Sequence, residues 1–258
     1  MISLKIKDRW ARVDNGELIG YSVDGHEFMH QKGSPGWRNT DTEMFPIIGP
    51  TAEAGFQVQT PKGTAVQDQH GLLREMPYEL ISQSETQATY LKKYKAGSRV
   101  VNSKYPEKSD EKELFWPYDF EFEKRIRILE SGLSVSFKIN AENGMPFMLG
   151  YHPAFRLSVK NPNVKANGRS ISLAEVLAVG SRALHVPDCN EIVLSDAKRL
   201  RIKTEGFKSF MLWTEVPNMV CIEPITFYPY AVEQRNLHQG FQTLESSSAS
   251  FKVTISPE

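Results

Sequence analysis

The segment from Phe120 to Asn140 alternates apolar and polar residues in two runs, and no other feature of the chain constrains its fold as strongly. Even positions hold Phe120, Phe122, Lys124, Ile126 and Ile128, and odd ones hold Glu121, Glu123, Arg125 and Arg127. After Glu130-Ser131-Gly132 the phase restarts. Leu133, Val135, Phe137 and Ile139 then alternate with Ser134, Ser136, Lys138 and Asn140. Successive side chains of a strand point to opposite faces of a sheet. The pattern therefore predicts a hairpin with one buried and one wet face.

The same period recurs at both ends. Leu4 and Ile6 alternate with Lys5 and Lys7, and Phe251, Val253 and Ile255 alternate with Lys252, Thr254 and Ser256. Weaker strands are expected at Glu17–Val23, Gly55–Gln59, Tyr78–Ser84 and Gln87–Tyr94, with turns at Asp24-Gly25, Lys62-Gly63 and Asn143-Gly144. One short helix is expected from Ser172 to a stop at Gly180. The polar stretch Gly97–Glu113 reads as a long, partly mobile loop. No linker or repeat divides residues 1–258. The expectation is one all-β domain, a large antiparallel sandwich with few short helices.

Composition narrows the partners. The 31 Lys and Arg residues balance 31 Asp and Glu, leaving a formal net charge of zero. Such a chain has no general pull toward nucleic acid or an anionic membrane. Cys189 and Cys221 make no disulfide framework and fit no zinc motif. The first residues, Met-Ile-Ser-Leu-Lys-Ile-Lys, contain no continuous apolar run. A cytoplasmic protein, monomer or homodimer, with a small-molecule substrate is expected.

Three polar clusters could carry chemistry. In Gln69-His70-Gly71 the glycine frees the backbone to project an imidazole, and Arg74 follows with a forked donor. A surface turn is the plain alternative. In Gly150-Tyr151-His152-Pro153-Ala154-Phe155 a histidine lies between aromatics, as in a sugar pocket, or as a core histidine at a strand end. In Cys221-Ile222-Glu223-Pro224 a carboxylate ends an apolar strand. Partial burial would raise its pKa and make it a better base near neutrality, although a strand end can simply reach water. Trp213 is a candidate stacking platform or a core residue.

Taken in order, Phe45-Pro46-Ile47-Ile48-Gly49, Gln69-His70-Gly71 with Arg74, Trp116-Pro117-Tyr118-Asp119-Phe120, Gly150-Tyr151-His152-Pro153-Ala154-Phe155, Leu212-Trp213 and Cys221-Ile222-Glu223-Pro224 resemble the aldose 1-epimerase family, and within it a LacX-like branch. The resemblance implies a galactose mutarotase-like β supersandwich and cofactor-free, metal-free interconversion of the anomers of a free monosaccharide. It implies that Glu223 takes the proton of the C1 hydroxyl, His152 protonates the ring oxygen and His70 hydrogen-bonds near it. Arg74, Trp213, Gln69, Arg38 and Tyr151 are the substrate-binding candidates. One departure stands out: Pro50 occupies the place where the family usually has a sugar-binding Arg, so Arg74 or Arg38 would have to supply that contact. Two other functions are consistent with the pattern. One is epimerisation of a hexose 6-phosphate held by Arg38, Arg74 and Lys32. The other is sugar binding without catalysis.

Overall fold

A computed structural model describes residues 1–258. Two antiparallel sheets dominate it. The larger has nine strands, and the Phe120–Leu129 and Gly132–Ala141 hairpin lies within it. Its register pairs Phe122 with Ile139 and Ile126 with Val135, so the apolar positions of both strands share one face. Phe122, Ile126, Val135 and Ile139 are fully buried. Each such side chain contributes about 1.5–3 kcal/mol relative to an exposed one. The C-terminal strand Ser248–Pro257 pairs with Gly132–Ala141, and Gln87–Tyr94 pairs with Phe120–Leu129.

The second sheet has six strands and carries most of the chemistry-bearing residues. Ser209–Trp213 pairs with Met219–Ile225, which in turn pairs with Gly150–Tyr151 and Ala154–Arg156. Glu43–Met44 closes this sheet against Gly150–Tyr151. A cluster of 60 buried hydrophobic residues draws on both sheets.

The expected elements form at nearly the expected places. Glu17–Val23 and Gln87–Tyr94 are strands, and the weaker runs contract or shift slightly to Gln57–Thr60 and Glu79–Gln83. The helix runs Leu173–Val179. Ser172 caps it in a reciprocal box with Glu175, and Gly180 follows its last turn. No helix is long and apolar enough to cross a membrane.

The Gly97–Glu113 stretch differs from its expectation. Val100–Val101 pairs with Glu113–Leu114, and buried Asn102 donates to Asp68 Oδ2, Ser109 Oγ and the Glu111 carbonyl. A polar composition hid this anchor, because a single buried amide with three acceptors holds the loop in place of an apolar face.

Lys124 is the one charged residue on the buried face of the hairpin, and it is fully buried. Its ammonium lies 2.8 Å from Asp41 Oδ2 and 2.7 Å from Glu43 Oε1. The Tyr151 hydroxyl donates to Asp41 Oδ2 at 2.7 Å, and Asp41 Oδ1 accepts the Leu18 N–H at 2.9 Å. Burial alone would lower the pKa of Lys124, but Asp41 and Glu43 hold it above its usual value. This network ties the two sheets together beneath the site described next.

Candidate active site

His70, His152 and Glu223 come from separate parts of the chain, and all three line one cavity of about 360 Å³. Each is placed by identifiable local structure. On the strand Met219–Ile225, Cys221 and Glu223 are two residues apart and face the same side. Across from them on Ser209–Trp213 stand Trp213 and Met211, in register with Cys221 and Glu223 respectively.

Two main-chain hydrogen bonds fix His152. Its N–H donates to the Thr42 carbonyl at 2.8 Å, and the Thr42 N–H donates back at 3.3 Å. The residues flanking Thr42 are Asp41 and Glu43 of the buried network, so the segment that carries His152, just past the strand Gly150–Tyr151, is fastened to the core from below.

His70 depends on the Phe45-Pro46-Ile47-Ile48-Gly49 element. Its N–H donates to the Gly49 carbonyl at 3.1 Å, and the Gly49 N–H donates to His70 Nδ1 at 3.2 Å. The Phe45 N–H donates to the His70 carbonyl at 3.1 Å. The next residue must be glycine, since a Cβ at Gly71 would sit 2.2 Å from the Phe45 carbonyl oxygen. His70 itself has a φ of 71°, a left-handed conformation that non-glycine residues adopt at a cost and that concentrates at functional sites. Because Nδ1 accepts, the neutral ring keeps its proton on Nε2.

His152 and Glu223 are close. His152 Nε2 lies 3.3 Å from Glu223 Oε1, and both residues are buried. Burial, against the opposing pull of Arg74, pushes Glu223 up to about 8. Burial and then Arg74 hold His152 well below the usual histidine range. His70 is lowered in the same way by burial, Arg74 and His152. Near neutrality the Glu223–His152 pair therefore carries one proton, which these shifts place on Glu223, and the pair titrates as a unit.

A third ligand-type atom is nearby. Cys221 Sγ, His152 and Glu223 bring ligand atoms within 4.8 Å of one another. The guanidinium of Arg74 acts on all three residues and would oppose a cation there. Burial, and next Glu223, push the Cys221 thiol well above its usual pKa, which leaves it protonated and poorly nucleophilic.

Gln69, Arg38, Arg74 and Trp213 also line the cavity. The Trp213 ring meets His152 edge-on at 6.0 Å. Arg74 donates from Nε to the Glu43 carbonyl at 3.3 Å, while its Nη2 is buried without an acceptor. Tyr151 is a correction to the expected set. It is fully buried, packs on Phe137 and spends its hydroxyl on Asp41. Adjacent strand residues point to opposite faces, so placing His152 in the cavity sends Tyr151 into the core. Lys32 is a second correction, because it pairs with Glu17 and does not line the cavity.

Sequence reasoning passed over Trp37, Lys104, Tyr230 and Glu215, all of which line the cavity. Trp37 stacks on His152 with ring centroids 4.2 Å apart. Its signal was present, as an aromatic beside a cation in the Pro35-Gly36-Trp37-Arg38 loop. Lys104 reaches the cavity from the anchored Gly97–Glu113 segment, where Asp68 Oδ1 lies 3.3 Å from its ammonium.

The aldose 1-epimerase family model matches residues 24–207, well over half of the chain. The chain belongs to the aldose 1-epimerase family. That family's enzymes are carbohydrate epimerases, and the match covers His70 and His152 but stops before the strands that carry Trp213 and Glu223. A search of curated proteins gave no match. Solved structures carry the likeness over the whole length. A galactose mutarotase-like protein from Lactobacillus casei superposes with a TM-score of 0.79 at 16% identity, covering 100% of both chains. A galactose mutarotase related enzyme from Lactobacillus acidophilus gives 0.75 at 17% identity over 98% of this chain and 96% of that one. An aldose epimerase homologue from C. elegans gives 0.69 at 9% identity over 100% and 98%. The fold is thus the galactose mutarotase-like antiparallel β supersandwich.

Proposed function

We propose that this chain interconverts the α and β anomers of an aldose by general acid–base ring opening and reclosure. Glu223 as carboxylate removes the proton of the anomeric hydroxyl while His152 as imidazolium delivers one to the ring oxygen. Rotation about C1–C2 exposes the other face of the carbonyl, and the ring recloses with the roles reversed. His70 Nε2–H donates toward the ring oxygen, and Arg74 offers the hydroxyl contact that Pro50 cannot. The observation that carries most weight is the 3.3 Å approach of His152 to Glu223 at the wall of a sugar-sized cavity. The pair holds one proton near neutrality, and the reactive form, carboxylate plus imidazolium, has that same proton count.

Anomer exchange measured by NMR on glucose and galactose tests this. Exchange faster than the uncatalysed rate, and lost in Glu223→Gln, supports it. Calorimetric binding without any acceleration would make the protein a sugar binder instead.

A second reading has its own support. Arg38, Arg74 and Lys104 line the cavity, and Arg74 Nη2 is buried without an acceptor. An aldose bearing a phosphate would satisfy these donors. Exchange rates on glucose and glucose 6-phosphate, compared in one experiment, separate the two.

A further inference from the structure

Catalytic histidines are usually oriented by a hydrogen bond from the ring nitrogen that does not react. His152 lacks that support. Nε2 faces Glu223, while Nδ1 is buried and meets no donor or acceptor of another residue. The Trp37 indole instead lies over the imidazole, with centroids 4.2 Å apart and planes 30° apart.

Trp37 is itself held firmly. Buried His30 donates from Nε2 to the Trp37 carbonyl at 2.8 Å, and the Trp37 N–H points to Met219 Sδ at 3.4 Å. The His30 N–H donates to the Ala154 carbonyl at 2.9 Å, two residues after His152. At the other end of the loop Thr40 Oγ1 donates to the His30 carbonyl at 3.0 Å, and its N–H donates to Glu17 Oε1 at 2.7 Å. Ala154, Met219 and Cys221 form a small apolar cluster against the indole. The loop thus presents one aromatic face to one imidazole.

We infer that Trp37 is a positioning residue for the acid of the reaction: its π face fixes the His152 ring so that Nε2 meets Glu223, and stabilises the imidazolium. An indole is the best aromatic partner for a cation, and the effect grows where water is excluded. The other groups facing His152 are Arg74, which opposes its charge, Glu223, which favours it, and His70, Cys221 and Trp213 around the ring. Trp37 offsets part of what burial and Arg74 take away.

This inference rests on the acid–base reading above, but one test does not require activity. In a Glu223→Gln background the His152 ring titrates without its carboxylate partner, and its pKa can be followed by NMR with Trp37 intact and in the Trp37→Phe and Trp37→Leu variants. Trp37→Leu keeps an apolar cover and removes the π face, and Trp37→Phe restores a ring. The expected result is a His152 pKa lowered by roughly half a unit or more in Trp37→Leu and largely restored in Trp37→Phe. In the otherwise wild-type enzyme kcat for anomer exchange should fall roughly threefold or more in Trp37→Leu, and less in Trp37→Phe. An unchanged or raised pKa in Trp37→Leu overturns the inference, since a side chain that only excluded water would leave the pKa in place under a leucine or let it rise with any loss of cover. If no variant and no wild type accelerates exchange, the acid–base reading fails while the titration still decides the part played by Trp37.

Discussion

Two clusters of buried charge lie back to back in this protein, and neighbouring residues feed both. Tyr151 joins Lys124, Asp41 and Glu43 in the core, and His152 joins Glu223 at the cavity. In the core cluster each ionised group has an opposite charge within 2.8 Å. In the cavity cluster Glu223 and His152 hold one proton between them, Arg74 Nη2 has no acceptor and His152 Nδ1 has no partner from another residue. An ammonium clamped between two carboxylates in the core makes a fixed scaffold, whereas polar groups on a cavity wall are open to a ligand. The division follows from the pleat: one strand step separates structure from chemistry.

That contrast can be broken most sharply at Glu223. Glu223→Gln keeps the shape and removes the proposed base, so anomer exchange should fall by about 10³-fold, within the range that general acid–base groups supply. Thermal stability should hold or rise, because burial already disfavours the charged form of Glu223 and a neutral amide never takes that form. A matching loss of stability would mean that Glu223 is scaffold.

Lys124→Met should behave in the opposite way. It strands Asp41 and Glu43 in the core, and unpairing a buried charge costs about 3–5 kcal/mol. Chemical denaturation should show that loss, and the fraction still folded should turn over within a few-fold of wild type. A large kcat effect in folded protein would join the two clusters functionally.

The pH profile sharpens the same point. Glu223 is raised to about 8 and His152 lowered, so the pair keeps its single proton below about 8. Above that the proton leaves, no acid is available for the ring oxygen, and kcat/KM should fall about tenfold per unit. Lys124 is held above its usual value and stays charged, and Asp41, raised by burial to about 6, has already lost its proton, so the core cluster should add no limb above about 8. A profile that stays flat well above the Glu223 value would sink the shared-proton assignment.

Tyr151→Phe should give the smallest change. It removes one hydrogen bond to a carboxylate, costing about 1.5–3 kcal/mol in denaturation, with exchange altered less than about twofold. His152→Asn, one residue along, should instead abolish exchange with little change in stability.

Much of this was legible in the chain itself. Period-two alternation is a local property, so Phe120–Leu129, Gly132–Ala141 and Ser248–Pro257 could be read without partners. The Ser172 and Gly180 helix signals are also local, and each lies where a cap is needed. The motifs around His70, His152 and Glu223 were visible, and hydrogen bonds between Gly49 and His70 join two of the motifs, Phe45–Gly49 and Gln69–Gly71, in space. What the chain could not disclose is which way a residue faces when its strand is only two residues long. Gly150–Tyr151 offers no period to count, so sequence alone assigns Tyr151 to the pocket it turns away from. Nor could it show that Lys124 would find two carboxylates, that Trp37 would lie on His152, or that Lys104 rather than Lys32 reaches the cavity. Those are long-range pairings, set when sheets stack and loops close. The sequence determined the strands and the reactive residue types, and only the tertiary structure decided which of them share a proton.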